Sequence, residues 1–253
     1  MTSHFYESDR AVSEYLLFHY GSAEQVLPYD FGPSTALHFA VRCVTECLDI
    51  HRLPARARAL DLGCAVGRSS FELARHCAQV IGIDYSERLI AAACHLQRQA
   101  SLDFTYAEEG NLLISATVHV PSDADRQRVR FEHGDAEDLR PGIGAFDVVL
   151  MANLIDRLSQ PRRCLERLPE LVRRDGQLII TSPYTWLTEY TPKENWLGGF
   201  ERDGKRVKTL DTLQEILSPN FDFSFCKNLP FLIREHARKF QWTVAEATVW
   251  FRK

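Results

Sequence analysis

The residues best able to do chemistry stand at the ends of short apolar runs. Ala59-Leu60-Asp61-Leu62-Gly63-Cys64-Ala65-Val66-Gly67 carries a carboxylate into a glycine-bearing turn. Gly63 permits a tight turn and the approach of a ligand to bare backbone. Gly67 lets the following helix pack near the strand while its first N–H groups stay free. A lone turn of this kind also joins strands to helices that bind nothing. Val80-Ile81-Gly82-Ile83-Asp84-Tyr85-Ser86 then ends a second apolar run with an acid, which can accept both hydroxyls of a ribose. The bland alternative is that Asp84 caps a helix beginning near Ser86. In Phe131-Glu132-His133-Gly134-Asp135-Ala136-Glu137, Asp135 can accept an adenine amino group and the Ala136 N–H can face the ring. Phe146-Asp147-Val148-Val149-Leu150-Met151-Ala152-Asn153 is a buried run ending in a polar side chain, and Arg174-Asp175-Gly176-Gln177-Leu178-Ile179-Ile180 is a turn feeding another strand.

These groups need a scaffold of alternating strands and helices. Strands are predicted at Ala57 to Leu62, Val80 to Ile83, Arg130 to Glu132, Phe146 to Met151 and Gln177 to Thr181, with a helix through Phe71, Leu73 and Ala74 between the first two. Such alternation predicts an α/β fold with a doubly wound, mostly parallel, Rossmann-like sheet. A helix over residues 8–20, with Ser8 as N-cap and Val12, Tyr15, Leu16 and His19 on one face, ends at Gly21. Residues 27–33 read as a rigid aromatic loop, and a second helix is expected from Ser34 to Ile50. Residues 102–121 read as an inserted β-hairpin turning at Glu109-Gly110-Asn111. The end, TVAEATVWFRK, would supply the last strands. The chain is expected to be one domain: a helical cap at 1–50, a cofactor-binding core at 51–185, and a substrate loop and closing strands at 186–253.

The chain has 253 residues, 45% of them hydrophobic, enough for one large core with an appended lid. A net charge of −4 gives no basic field for nucleic acid. No apolar run approaches a membrane span, and the polar N-terminus is unlike a secretory signal. Seven cysteines without paired spacing read as reduced core residues of a cytoplasmic protein. Cys43 and Cys47 share a helix face, and core packing is favoured there over metal binding.

The five ordered elements resemble the class I S-adenosylmethionine-dependent methyltransferases over roughly residues 35–185. Matched by position, the resemblance implies that Asp61 orders the loop and the methionine amine. Gly63, Cys64, Ala65 and Gly67 pass under the methionine portion, Asp84 with Tyr85 and Ser86 holds the ribose, and Asp135 and Ala136 read adenine. Asn153 stands nearest the transferring methyl. It implies S-adenosylmethionine as cofactor, S-adenosylhomocysteine as product, and no metal. The acid before the first glycine argues against a nicotinamide-dependent oxidoreductase. One departure exists: Ala65 replaces the usual middle glycine, and its methyl is tolerable if φ stays negative.

Further blocks are Tyr15-Leu16-Leu17-Phe18-His19-Tyr20-Gly21, Leu27-Pro28-Tyr29-Asp30-Phe31-Gly32-Pro33, Ser182-Pro183-Tyr184-Thr185-Trp186-Leu187, Thr191-Pro192-Lys193-Glu194-Asn195-Trp196-Leu197-Gly198-Gly199 and Arg234-Glu235-His236-Ala237-Arg238-Lys239. They resemble the N-methyltransferases of ovothiol biosynthesis, found also as the C-terminal domain of bifunctional ovothiol synthases. The resemblance implies methylation of an imidazole ring nitrogen of 5-thiohistidine (4-mercaptohistidine). It also implies a pathway link to a separate iron-dependent sulfoxide synthase, since the nine dispersed histidines form no iron site here. The partner expected is this small molecule, with no nucleic acid and no membrane.

Such a transfer needs alignment and a dry pocket. Asn153 is the first choice to orient the ring, and Asp156 or His19 to accept a proton. Tyr184, Trp186, Tyr190 and Trp196 are candidates to wall the pocket, and Arg157 or Arg234 to pair with a carboxylate. Tyr15 and His19 read equally as a packed core pair, the tryptophans as loop pins, and His236 and Arg238 as the solvated face of a charged helix. The alternatives are another small-molecule acceptor, or a non-catalytic cofactor-binding subunit.

Overall fold

In a computed structural model, residues 5–253 are described; the first four residues of the expected cap lie outside them. Ser8 accepts the Ala11 N–H at 3.1 Å and starts α1 (Asp9–Tyr20) as predicted. An unforeseen short helix, α2 (Ala23–Val26), follows behind a capping box of Ser22 and Gln25. The predicted second helix is broken. A 3₁₀ turn at Ser34–Ala36 leads to His38 at φ 57°, then α3 (Phe39–Thr45), then another 3₁₀ turn at Ile50–Arg52. Apolar periodicity runs straight through this break, so the pattern alone could not show it.

The core then alternates as expected: β1 (Arg58–Leu62), α4 (Arg68–Leu73), β2 (Gln79–Asp84) and α5 (Glu87–Gln99). The inserted hairpin is β3 (Ser101–Glu109) and β4 (Leu112–His119), turning at the predicted residues. β5 (Val129–His133), β6 (Phe146–Ala152), α6 (Pro161–Leu171) and β7 (Val172–Ser182) complete the parallel part. A small hairpin, β8 (Phe200–Arg202) and β9 (Lys205–Val207), precedes α7 (Thr209–Leu217). The long strands β10 (Phe221–His236) and β11 (Lys239–Arg252) follow.

The seven-stranded sheet has the order β10-β11-β7-β6-β1-β2-β5. β7, β6, β1, β2 and β5 are parallel, whereas β11 is antiparallel to both β7 and β10. The closing strands predicted at the C-terminal end therefore join the sheet. Residues His236 and Arg238 lie at the β10–β11 turn, where the Arg238 N–H donates to His236 Nδ1 at 3.2 Å; the charged helix expected there does not form.

Phe71, Leu89 and Leu96 fill one face of the sheet, and Leu165, Leu168 and Leu213 the other. The chain leaves β1 toward β2 on one side and returns to β6 on the other. That reversal opens a crevice at the strands' carboxyl ends. α1 packs on β10 and the β3–β4 hairpin, which hold it over this crevice. Among the described residues, no helix is long and apolar enough to cross a membrane.

Gly67 sits at φ +84°, and a Cβ there would come within 2.4 Å of the Phe131 ring on β5. Gly110 shares the positive φ, but nothing lies within 4 Å. Gly67→Ala should lower stability by about 3 kcal/mol and Gly110→Ala by about 1, since the strain is common but the overpacking is not. Urea unfolding of both variants without ligand checks this; equal losses would mean that Phe131 yields freely.

Candidate functional site

The turn between β1 and α4 is fastened to the end of β2. The Gly63 and Cys64 N–H groups both donate to the Ile83 carbonyl, at 2.8 and 3.1 Å. The Ala65 N–H donates to Asp84 Oδ2 at 2.8 Å, and the Ser86 N–H donates to Asp84 Oδ1 at 2.9 Å. Ala65 takes φ 48°, so the condition under which its methyl costs nothing is not met. The left-handed turn points its N–H at the Asp84 carboxylate, and that charge-assisted bond offsets a strain of about 1–2 kcal/mol. Asp84 is not a helix cap; Ser86 is, its hydroxyl accepting the Leu89 N–H at 3.1 Å.

Asp61 is fully buried. Its Oδ2 accepts the hydroxyls of Ser69 and Ser70 at 2.7 and 2.6 Å, and Oδ1 has no partner. Burial pushes its carboxyl up to about 6, against the pull of the two serines. Ser69 and Ser70 were not singled out from sequence, although two hydroxyls in the first turn after such a loop are a usable signal. Cys64 offers backbone only: its side chain is buried, and burial raises the thiol well above its ordinary range. On the adenine side, the Glu137 N–H donates to Asp135 Oδ1 at 2.8 Å, Ala136 is buried, and Tyr85 stands exposed with its ring beside His133.

α1 and the residues before it cover both turns. The Tyr20 hydroxyl donates to the Val66 carbonyl at 2.9 Å, and the Ser86 hydroxyl to the Tyr6 carbonyl at 2.9 Å. The Glu87 N–H donates to Glu7, and Asp9 pairs with Arg88. Sequence reasoning missed Tyr6 and Tyr20, because nothing local ties either to a turn so far along the chain.

At the end of β6, Asn153 adopts φ 53°. Its N–H is shared between the carbonyl and hydroxyl of Thr181 at 2.8 and 3.1 Å, and the Thr181 hydroxyl donates to Asn153 Oδ1 at 3.0 Å. The amide is thereby fixed in orientation, with its nitrogen unpartnered among the described residues.

The two expected proton acceptors have other roles. Asp156 is fully buried and accepts Ser182 Oγ at 3.1 Å, the Thr185 N–H at 3.0 Å and Arg157 Nη1 at 3.0 Å. It braces the loop after β7. His19 is pushed down to about 3 by burial and by the charge of Arg68. Its Nδ1 is buried and unpaired, and its ring lies between Tyr15 and Phe18, with centroids 5.6 and 5.1 Å away. A neutral imidazole of that acidity accepts a hydrogen bond but does not hold a proton near pH 7.

Tyr15, Tyr6, Tyr190 and Arg157 meet above this region. Arg157 Nε donates to the Tyr6 hydroxyl at 3.3 Å, and the guanidinium stands 4.7 Å from the Tyr190 ring centre. Trp186 Nε1 donates to Thr209 Oγ1 and Trp196 Nε1 to the Thr191 carbonyl, so both indoles pin their loop, as the alternative reading held. Trp186 also lines an open cleft with Tyr184. Arg234 is a correction: it is 4% exposed, donates to the Gln25 carbonyl at 2.6 Å and lies over Tyr106, bracing α2 and the hairpin. It does not line that cleft.

Residues 60–180 match the model of the methyltransferase domain family. A ubiquinone biosynthesis O-methyltransferase of Coxiella burnetii is 26% identical over 123 residues, covering 49% of this chain and 42% of the relative. The chain thus matches less than half the length of that relative. A S-adenosylmethionine-dependent methyltransferase structure from Methanosarcina mazei superposes with a TM-score of 0.52 at 16% identity, covering 80% of this chain and 95% of the other. The YcgJ protein of Bacillus subtilis does so at 0.51 and 15%, covering 79% and 93%. The fold is that of the class I methyltransferases.

The unpaired Asp61 oxygen, the open lone pairs of Asp84 and the bare N–H groups of the turn fit S-adenosylmethionine. A cationic amine meets Asp61 best when it is ionised, and burial keeps the Asp61 carboxyl protonated below about pH 6. S-adenosylhomocysteine affinity should therefore weaken as pH falls through that value, by up to about tenfold per unit, and Asp61→Asn should flatten the profile. Calorimetric titration across this range checks it; parallel profiles would remove Asp61 from the amine.

Proposed function

We propose that this protein transfers the methyl group of S-adenosylmethionine to an imidazole ring nitrogen of 5-thiohistidine. The cofactor half rests on one observation: Asp84 closes the Gly63–Gly67 turn from one side while Asp61, buried beneath it, keeps one oxygen unpaired. When bound, the cofactor supplies an electrophilic methyl on a sulfonium and leaves as S-adenosylhomocysteine. Asp84 would hold the ribose, Asp61 the amine, and Asp135 with Ala136 the adenine. No metal is invoked.

The acceptor half rests on the resemblance of the N-terminal and post-β7 blocks, and on the state of the local bases. The O-methyltransferase named among the relatives suggests a hydroxyl acceptor as the second reading. A hydroxyl has to give up its proton to attack, which requires a base near the reacting oxygen. Asp156 is committed to three partners and His19 is a very weak base. A neutral imidazole brings its own lone pair at about pH 7 and needs orientation instead. Asn153 would orient it through the free amide nitrogen, with His19 Nδ1 as an acceptor of its N–H. Tyr6, Tyr15 and Tyr190 would exclude water, and Asp156 would act through Arg157 as a positioning residue. The ring proton lost after transfer goes to solvent. The thiolated substrate would come from an iron-dependent reaction that forms the carbon–sulfur bond, and neither nucleic acid nor membrane takes part.

A site shaped round the sulfur should discriminate against histidine, with kcat/KM lower by about two orders of magnitude or more. Comparison of the two acceptors under reducing conditions, with product identified by mass, tests this. Comparable values, or preference for histidine, would overturn the substrate and leave methyl transfer standing. Asn153→Ala should lower kcat about 10- to 100-fold while S-adenosylhomocysteine affinity changes by less than about threefold. Unchanged turnover would move the acceptor away from the end of β6.

A further inference from the structure

Arg157 is held by the chain on three sides and still keeps donors to spare. It ends the 3₁₀ turn Ile155–Arg157, which starts two residues beyond Asn153. Nη1 donates to the Asp156 carbonyl at 2.9 Å, to Asp156 Oδ2 at 3.0 Å and to the Thr185 carbonyl at 3.1 Å. Nε donates to the Tyr6 hydroxyl at 3.3 Å, and the Tyr190 ring flanks the guanidinium. A guanidinium has five N–H donors in a fixed fork. Among the described residues nothing bonds the two on Nη2, and the side chain is 25% exposed.

Tyr6 brings a second donor to the same edge. In a planar guanidinium the Nε–H and one Nη2–H point the same way, so the Tyr6 oxygen at Nε stands beside the open Nη2. The Tyr6 carbonyl accepts the Ser86 hydroxyl next to Asp84, which anchors the residue to the cofactor turn. Burial, and then Tyr6 beside it, raise the Tyr15 phenol well above its ordinary range, so Tyr15 stays protonated and is a donor toward Tyr6. The Tyr6 oxygen thus accepts, and its own proton has no acceptor among the described residues. The acids nearby are engaged: Asp156 by Ser182, Thr185 and Arg157, Asp84 by the Ala65 and Ser86 N–H groups, and Glu7 by the Glu87 N–H. Unfilled donors of this kind, one of them charged, favour an anion.

The acceptor proposed above carries such an anion, and its sulfur poses a problem of selectivity. A thiol on an imidazole ring is more acidic than the cysteine thiol, whose pKa is about 8.5, and a thiolate is a strong nucleophile. Left free, the sulfur would take the methyl in place of the ring nitrogen. A carboxylate would pair with the Nε–Nη2 edge of an arginine through both oxygens, but Tyr6 already occupies Nε. What remains, one Nη2–H and one phenol O–H, suits an acceptor of a single atom.

We propose that Arg157 Nη2 and the Tyr6 hydroxyl bind the thiolate sulfur of the acceptor, hold it away from the sulfonium and so direct the methyl to nitrogen. This rests on the reaction proposed above and adds the residues that decide which atom reacts. On nitrogen, the ring lone pair forms the C–N bond, the cofactor's C–S bond breaks with its pair staying on sulfur, and the ring proton leaves. On sulfur, the thiolate pair forms a C–S bond, the same cofactor bond breaks, and no proton is lost. Two donors on the thiolate lower its basicity and with it its nucleophilicity, which slows only the second course.

The test gives 5-thiohistidine and S-adenosylmethionine to wild type, Tyr6→Phe and Arg157→Met under reducing conditions, then adds excess iodoacetamide. An N-methyl product keeps a thiol that is alkylated, an S-methyl product does not, and mass separates the two. Wild type should give almost only the alkylated product, and each variant should raise the unalkylated share by about tenfold or more. A role confined to holding the fold would lower total turnover without moving that ratio. Tyr6→Phe keeps the ring and loses one oxygen, so it decides the matter even if Arg157→Met does not fold. An unchanged ratio would overturn the assignment and leave the proposed reaction intact. In calorimetry with S-adenosylhomocysteine present, Tyr6→Phe should bind 5-thiohistidine at least about fivefold more weakly than wild type, and histidine within about twofold. Equal losses for both compounds would put a carboxylate at the pair and overturn the sulfur assignment. If wild type makes no N-methyl product, the reaction itself falls, and this role with it.

Discussion

The bond from the Ala65 N–H to the Asp84 carboxylate is the constraint on which the rest of the site depends. It crosses between the carboxyl ends of β1 and β2 and sets the distance between the two cofactor turns. To make it, a residue with a side chain accepts φ 48°. α1 then closes over a fixed floor, with Tyr20 on the first turn and Tyr6 on the second. Were the turns free to separate, α1 and the residues just before it could not bond to both at once.

Three buried or partly buried acids show how the same group is assigned different work. Asp156 has both oxygens occupied by the chain, so its charge is spent within the fold and it stabilises a loop. Asp61 has one oxygen satisfied and one unpaired, and burial, against the pull of Ser70 and Ser69, raises its acidity constant. Asp84 spends one lone pair per oxygen on backbone N–H groups, which leaves acceptor capacity on both. Counting unsatisfied valence, more than burial or charge, separates the acid that braces from the two that can bind.

Much of this was legible in the chain. The central parallel strands β1 and β6 are buried on both faces and therefore read as continuous apolar runs, and the Gly110-Asn111 turn marked the inserted hairpin. Asp61, Asp84 and Asn153 stand out in the chain because each ends or punctuates such a run. The break at His38 was hidden since periodicity reports which faces are apolar and is blind to one left-handed residue. The states of His19 and Asp156 were hidden for a related reason: burial and the charge of Arg68 weaken His19 as a base, and Ser182 and Thr185 occupy Asp156, all through tertiary geometry.

The division between what is shared with relatives and what is particular follows the fold. The matched segment, residues 60–180, contains the turns that carry Asp61, Asp84 and Asp135, and the end of β6. Tyr6, Tyr15 and His19 come from before it, and Tyr184, Trp186 and Tyr190 from after it. The groups that fit the cofactor thus lie in the segment shared with relatives, whereas most of the residues proposed for the acceptor lie outside it. β10 and β11 link the two flanks physically, because β10 packs on α1 and β11 pairs with β7. The substrates named for relatives that match about half of this chain therefore do not carry over to it by similarity alone.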